Sequence, residues 1–396
     1  MKEELLHMVP RAVIPFFKGV LSTIVVFTLG NVLMYAMRSP VSVCTCAAYH
    51  DEMLDPLRIG TPRTLGNADF LRLLTFEANL LQNSISSPFP FVLLSMGNSA
   101  MKEMYQSWYC NTAHMKEVHE RTLIIMSGEE AKIELRKTSP NVVTIGVPTG
   151  QGLQESWDFD TCGYWRLVAQ RVRVVGELLR SGIALLLWEP DAFWVQNPLE
   201  DPLLSRFREN EADVLYYTDG GESIGFGFLL LKPTPAVLKV WTALEVSWGS
   251  LLQKELEGKA LSDTCHVLGE QTVFTMLLKD PQFAVKVKPL PMKRYVSGKW
   301  YDGGVLHSEL VPSKTVNEAP LPVIINNNWI IGNDAKTRRA KRWGHWFANS
   351  TGECAPRTEH QQMLRTATLS VKTKWPVWGE EPPDECPRCP KSDERL

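Results

Sequence analysis

The chain has 396 residues, 44% of them hydrophobic, which excludes wholesale disorder and suits one large catalytic domain or two modest ones. Its 42 Lys and Arg against 44 Asp and Glu leave a net charge of -2, so it is not a nucleic-acid binder that works through bulk positive charge. Its 26 Gly and 26 Pro are spread along the chain rather than gathered in one linker, as a compact fold with many turns requires.

Residues 19–37, between Lys18 and Arg38, are uncharged and mostly apolar. At 1.5 Å per residue a helix of this length reaches about 28 Å, close to the hydrocarbon thickness of a bilayer. Lys2, Arg11 and Lys18 precede it, and Asp51, Glu52 and Asp55 follow Arg38. The positive-inside rule then puts residues 1–18 in the cytosol and the remainder in a lumen, as a single-pass type II protein. A cleaved signal peptide is the other reading, supported by the small residues Cys46, Ala47 and Ala48, but the span is longer than a usual signal core.

All eight cysteines (Cys44, Cys46, Cys110, Cys162, Cys265, Cys354, Cys386 and Cys389) follow this segment, so an oxidising lumen predicts that some pair. Cys386 and Cys389 have CxxC spacing without a second pair or histidines to complete a zinc site. Asn349-Ser350-Thr351 is a glycosylation sequon.

Residues 38–88 read as a luminal stem with one amphipathic stretch at 70–81. Strand and helix patterns then alternate: strand 90–98, helix 100–114, strand 121–128, helix 129–137, strand 141–148, and a long helix 164–180 closed by Gly182. The run Ile183 to Trp188, IALLLW, is a fully buried strand. The alternation predicts an α/β domain with a mostly parallel sheet flanked by helices, binding ligands at the carboxyl ends of its strands.

Such an end follows the apolar run: Glu189-Pro190-Asp191 sets two carboxylates one residue apart on the same side of an extended chain. Hard oxygen ligands there suit Mg²⁺ or Mn²⁺ bridging a diphosphate, although an acid-x-acid triplet before Pro190 and Pro198 is also an ordinary turn.

Four blocks in order carry a resemblance. GELLRSGIALLLWEPDAFWVQNPLED (176–201) is followed by ADVLYYTDGGESIGFGFLLLKPTP (212–235), LGEQTVFTMLL (268–278) and PVIINNNWIIGNDAKTRRAKRWGHWF (322–347). Together they resemble the nucleotide-diphospho-sugar transferase domain over about residues 89–348, leaving a tail at 349–396. The resemblance implies a GT-A-like, Rossmann-type fold behind an N-terminal transmembrane helix. It also implies a Golgi glycosyltransferase that uses Mn²⁺ or Mg²⁺ and retains anomeric configuration. The partners implied are a nucleotide-sugar donor and a glycan or glycoprotein acceptor; nucleic acid is not among them.

Carried over residue by residue, Asp191 is the surer metal ligand. Glu189 stands where the family has its first Asp, one methylene longer. Glu270, beside Gln271, replaces the Asp of the acid-Gln block that faces the sugar and acceptor; Glu270 also reads as a helix N-terminal acid complementing the dipole. Asn326 stands where the closing block often has His. Asn327, Asn328 and Trp329 line the donor pocket in this reading, and otherwise form a turn with a core ring. Gly225 and Gly227 admit backbone close to the sugar or mark a strand bulge. Lys336 matches the family's Lys and neutralises a departing diphosphate, while the other cations of 334–346 read as a solvated face. Arg171 is a further nucleotide-pocket candidate. Trp188, Trp194, Trp300 and Tyr301 read first as packing, although the Gly-rich loop that holds Trp300 and Tyr301 would let an exposed ring stack on an acceptor sugar. Two other functions compete: an inactive relative that binds donor or partner, motivated by Glu189, Glu270 and Asn326, and a metal-dependent phosphoester hydrolase, for which clustered His or Asp ligands are missing.

Overall fold

A computed structural model describes residues 67–373, apart from 88, 148–154, 205–206, 208–210, 220–222 and 302–320. The apolar segment 19–37 and the Cys386/Cys389 pair lie outside these residues. Among the described residues no helix is long and apolar enough to cross a membrane.

The alternation expected from sequence is present. Helix α1 (Asn67–Ser84) leads into β1 (Val92–Asn98), α2 (Lys102–Thr112), β2 (Thr122–Ser127), α3 (Glu129–Thr138), β3 (Val143–Val147), α4 (Cys162–Arg180) and β4 (Leu185–Trp188). Then come β5 (Phe193–Trp194), β6 (Val214–Thr218), β7 (Ile224–Leu231), α5 (Pro235–Leu256), α6 (Glu270–Lys279), β8 (Val287–Pro289), β9 (Tyr295–Val296), β10 (Ile324–Ile325), α7 (Asn333–Arg342) and α8 (Arg357–Thr373).

The central sheet runs β3-β2-β1-β4-β7-β6-β8. All its pairings are parallel except those of β7, which is antiparallel to both β4 and β6. Strand β4 shows why the run IALLLW is apolar throughout. Leu185 and Leu187 enter the core on one face of the sheet, Leu186 and Trp188 the core on the other. With both faces covered, the period-2 alternation of a half-exposed strand vanishes.

Helix α4 begins where the Thr161 side chain caps Tyr164 N–H, buries Trp165, Val168, Val172, Val175 and Leu179, and stops at Gly182, whose φ is +79°. Helix α1, in the stretch that sequence reads as the end of the stem, packs Phe70, Leu74 and Ala78 into the same core. Gln82 fixes its far end by accepting from Ala184 N–H at 2.9 Å.

A second, small sheet, β5-β10-β9, sets the site. β10 is antiparallel to β5 and parallel to β9. It therefore brings Asn326 to Trp329, which follow β10, beside Glu189 to Asp191, which link β4 to β5. Behind this sheet a third apolar cluster joins Phe193, Trp300, Tyr301, Trp343 and Phe347 to Ala367 and Val371 of α8. Two disulfides staple the fold. Cys110–Cys354 ties α2 to the approach to α8, and Cys162–Cys265 ties the start of α4 to the segment entering α6.

Candidate active site

The sheet order reverses between β1 and β4, the place where a doubly wound sheet opens a crevice at its carboxyl ends. Glu189 and Asp191 stand there. Trp188 before them stacks on Trp108 with ring centroids 3.9 Å apart, and Trp194 after them packs edge-on to both rings. These tryptophans are packing, as expected, and they hold the turn between the two carboxylates.

Each carboxylate meets a cation. Asp191 Oδ2 lies 2.7 Å from Lys336 Nζ. Glu189 Oε1 lies 3.3 Å from Arg171 Nη1, and Arg171 Nη2 lies 2.6 Å from Glu270 Oε1. Arg171 is therefore a bridge between the acidic triplet and the acid-Gln block. Burial opposes its charge, but Glu270 and Glu189 outweigh that and raise its pKa. Lys336 behaves alike: burial lowers its pKa, and Asp191 and Glu189 more than restore it. Burial raises the pKa of Glu189, and the charge of Asp191 adds to this, against Arg171 and Lys336.

Glu270 fits both of its sequence readings. It is the first residue of α6 and is buried, so it complements the helix dipole, and it belongs to the charge network of the site. Gln271 Oε1 accepts from Phe226 N–H at 3.1 Å, tying α6 to β7. The pairing of β6 with β7 shifts register after Tyr216, a bulge opposite Gly225 to Phe228. Both glycines are required by side chains of the site. A Cβ at Gly225 would strike the Tyr217 ring, and one at Gly227 would strike Asn326 Nδ2 and come within 2.9 Å of Glu189 Oε2.

Tyr217, Asp219 and Arg339 belong to this site and are not singled out by sequence. Tyr217 Oη accepts from Asn326 Nδ2 at 2.8 Å and from Asn328 Nδ2 at 3.1 Å. Asp219 Oδ1 accepts from Asn328 Nδ2 at 2.6 Å and Trp329 Nε1 at 3.0 Å; burial raises its pKa. Arg339 donates to Asn327 Oδ1 at 2.6 Å and to the Asn328 carbonyl at 2.5 Å. It lies three residues beyond Lys336 and so shares its helix face.

Asn327 donates to the Lys336 carbonyl at 2.9 Å and so locks the turn onto α7. Trp329 is half-exposed, with φ +60° and Lys299 Nζ 4.0 Å from its ring centroid. For Trp300 and Tyr301 the packing reading holds over the stacking one. Both rings are buried in the third cluster, because the small sheet needs an apolar layer beneath it, so neither is free to stack on a sugar.

The residues present fit a hard divalent cation. Asp191 Oδ1 and Asn326 Oδ1 are buried without a hydrogen-bond partner, and Glu189 lies between them in the network. Carboxylate and amide oxygens are the donors Mg²⁺ and Mn²⁺ prefer. Among the described residues no group of three or more His, Cys, Asp or Glu is placed to hold a metal, and the unpartnered Asn326 Oδ1 is a candidate third donor. Small recesses flank the triplet, one lined by Trp108, Asn111, Asp191 and Lys336, the other by Ser95, Arg171, Glu189 and Phe226.

Comparison with known proteins gives the same blocks a family. The chain is 21% identical over 291 residues to the UDP-D-xylose:L-fucose alpha-1,3-D-xylosyltransferase of Arabidopsis thaliana, covering 67% of this chain and 68% of that protein. Among solved structures, the apo-form glycosyltransferase GlyE of Streptococcus pneumoniae aligns with TM-score 0.37 and 13% identity over 72% of this chain, which spans 62% of GlyE. Mouse xyloside xylosyltransferase 1, also an apo form, aligns with TM-score 0.38 and 14% identity over 60% of this chain and 98% of its own. The family model for nucleotide-diphospho-sugar transferases matches residues 98–340, a span that holds Arg171, Glu189, Asp191, Glu270, Asn326 and Lys336. The chain belongs to the nucleotide-diphospho-sugar transferase family and is a glycosyltransferase.

Proposed function

We propose that this glycosyltransferase moves a sugar from a UDP-sugar to a hydroxyl of a glycan or glycoprotein, with a divalent cation and with retention of anomeric configuration. The observation that carries the reading is the buried pairing of Asp191 with Lys336 beside the bridge Glu189–Arg171–Glu270. It concentrates oxygen donors of the type a hard cation takes, a paired ammonium and a third carboxylate at the switch point of the sheet.

In the reaction the bond between the anomeric carbon and the diphosphate oxygen breaks, and a bond from that carbon to the acceptor oxygen forms as the hydroxyl passes its proton to an oxygen of the departing diphosphate. Lys336 gives the departing diphosphate a positive partner as its charge develops. Glu270, held by Arg171, sets a negative charge on the sugar side, where an oxocarbenium-like centre is stabilised. Gln271 fixes the β7 backbone at Phe226, and Gly227 keeps the approach to Glu189 and Asn326 clear. A Mn²⁺ or Mg²⁺ held by Asp191 and Glu189, with Asn326 as third donor, supplies Lewis-acid stabilisation of the diphosphate when bound.

The relatives direct the choice of donor. The Arabidopsis protein transfers xylose from UDP-xylose to fucose, so UDP-xylose heads the panel. We place the chain in the Golgi membrane, anchored by residues 19–37 as a type II protein with its catalytic part in the lumen; the apolar span and its flanking charges support this. The test is nucleotide release by the full-length protein from a panel of UDP- and GDP-sugars with Mn²⁺. Release that needs both the metal and Asp191, shown with a chelator and Asp191→Ala, supports the reading. Release unaffected by either sinks the metal assignment, and binding without release by any donor favours the inactive relative.

A further inference from the structure

Helix α1 is apolar on two faces. Phe70, Leu74 and Ala78 enter the core. Leu73, Phe76 and Leu80 lie on another face, where Phe76 is 58% and Leu80 51% exposed. Among the described residues no other helix leaves three large apolar side chains exposed in register. Large apolar groups left in water along one stripe mark a surface that another surface covers.

Spacing and charge together name the partner. Leu73, Phe76 and Leu80 are three and then four residues apart, the a-d-a spacing of a two-helix seam, and Asn83 at the next d position ends it. In that frame Arg72 is a g position and Glu77 the e position of the following turn. Two parallel copies bring Arg72 beside the partner's Glu77 on both sides of the seam. Two antiparallel copies bring Glu77 against the partner's Glu77, so the charges select the parallel pair. Arg72 can re-pair at little cost, since its ion pair with Asp69 lies at the surface and its side chain is 78% exposed. One Arg against Asp69 and Glu77 makes this face a poor match for an anionic lipid surface.

We propose that α1 is a dimer seam: two copies of this chain pack in parallel through Leu73, Phe76 and Leu80, with Arg72 paired to the partner's Glu77. From Leu73 to Leu80 the seam is two helical turns, small beside the ~1,200–2,000 Å² that hold a stable soluble complex. For its strength the inference rests on the membrane anchor proposed above. Residues 38–66 tether α1 to that anchor, so two copies in one membrane meet at a local concentration far above that in bulk.

The experiment is disulfide cross-linking of the full-length protein in isolated membranes, with Cys44, Cys46, Cys386 and Cys389 changed to Ser. It compares Leu73→Cys and Leu80→Cys with Thr75→Cys, a control off the seam on the same helix. Cross-linking at 73 and at 80 is expected to exceed that at 75 by ~10-fold, because a positions meet across a parallel seam and c positions do not. Arg72→Glu added to Leu80→Cys is expected to lower the cross-linked fraction ~5-fold, as two attractive surface pairs become repulsive. Adding Glu77→Arg to that variant is expected to restore it. Should a cysteine variant fail to fold, sedimentation in detergent takes its place, with wild type expected as a dimer and Phe76→Glu as a monomer. Equal cross-linking at all three positions, or no rescue by the charge swap, overturns the inference. So does a monomeric wild type, which would mean that another segment or another protein covers the stripe. Release of the protein from membranes by alkaline carbonate strikes the anchor alone; the same cross-linking on the concentrated soluble protein then decides the seam.

Discussion

Arg171 and Glu270 form a buried ion pair 2.6 Å long that joins α4 to the first turn of α6, and the other arm of the same guanidinium reaches Glu189 at 3.3 Å. Glu189 is the residue that stands at the first Asp of the pattern the sequence resembles. A longer carboxylate at 189 sits within reach of Arg171, and the extra methylene ties the acidic triplet to the acid-Gln block. A shorter Asp at 189 lacks that methylene.

Breaking this bridge leaves a buried carboxylate uncompensated. Arg171→Met is expected to destabilise the protein by ~3–5 kcal/mol, the usual cost of removing one partner of a buried pair. Glu270→Gln added to it is expected to recover at least ~1 kcal/mol of that loss. Urea unfolding of the two single variants and the double variant measures the coupling; additive losses would show that the pair is not a unit.

Two glycines separate function from stability. Gly227→Ala pushes Asn326 and Glu189 apart and is expected to lower the catalytic efficiency of metal-dependent sugar transfer by ~10²-fold, the effect of a displacement near 1 Å at reacting groups. Gly182→Ala meets nothing within 4 Å but demands φ +79°, so it is expected to cost ~1 kcal/mol of stability and leave kcat/KM unchanged. Equal effects of the two substitutions on activity would contradict the assignment of Gly227 to the site.

His345 imposes a pH dependence on stability. Burial pushes its pKa down to about 3, between Tyr301 Oη at 2.9 Å from Nδ1 and Ser370 Oγ at 3.1 Å from Nε2. The unfolded chain protonates near the ordinary 6.5 and so binds more protons than the folded one as pH falls below that value. The stabilisation is therefore complete above pH 6.5 and is lost as pH drops toward 3. Between pH 7 and pH 5 the loss from this residue is ~2 kcal/mol. His345→Gln is expected to flatten that part of the curve in thermal or urea melts; an unchanged slope would place the titration elsewhere.

The disulfides and the sequon bear on the compartment. Cys110–Cys354 closes a separation of 244 residues and holds the segment that precedes α8. Replacing both cysteines by Ala is expected to cost ~2–5 kcal/mol. It should also open the chain to limited proteolysis between β10 and α8. Asn349 is exposed, its Oδ1 accepting from Thr351 N–H and Oγ–H. A luminal domain predicts a glycan there, read as a mobility shift removed by glycosidase and by Asn349→Gln. Protein from cells with free Cys110 and no glycan would argue against the luminal placement.

Chain order, periodicity and the acidic triplet are local properties, so the alternation from β1 to β4, the stop at Gly182 and the position of Glu189 and Asp191 at a strand end are legible without coordinates. Helix α1 was legible as an amphipathic stretch but not as part of the core, because periodicity reports an apolar face and not what covers it. Trp300 and Tyr301 stayed open between packing and sugar stacking for the converse reason: a Gly-rich neighbourhood allows exposure, and only packing under the small sheet buries them. The partnerships that make the site depend on groups far apart in sequence. Arg171 meets Glu270 across 99 residues, and Tyr217 meets Asn326 across 109. By itself the sequence determined the elements, the carboxylates and the family, since these depend on residues near one another along the chain. The tertiary structure alone decided which cation faces which carboxylate, because charge pairing in a buried site is set by distance and desolvation between elements that only the fold brings together.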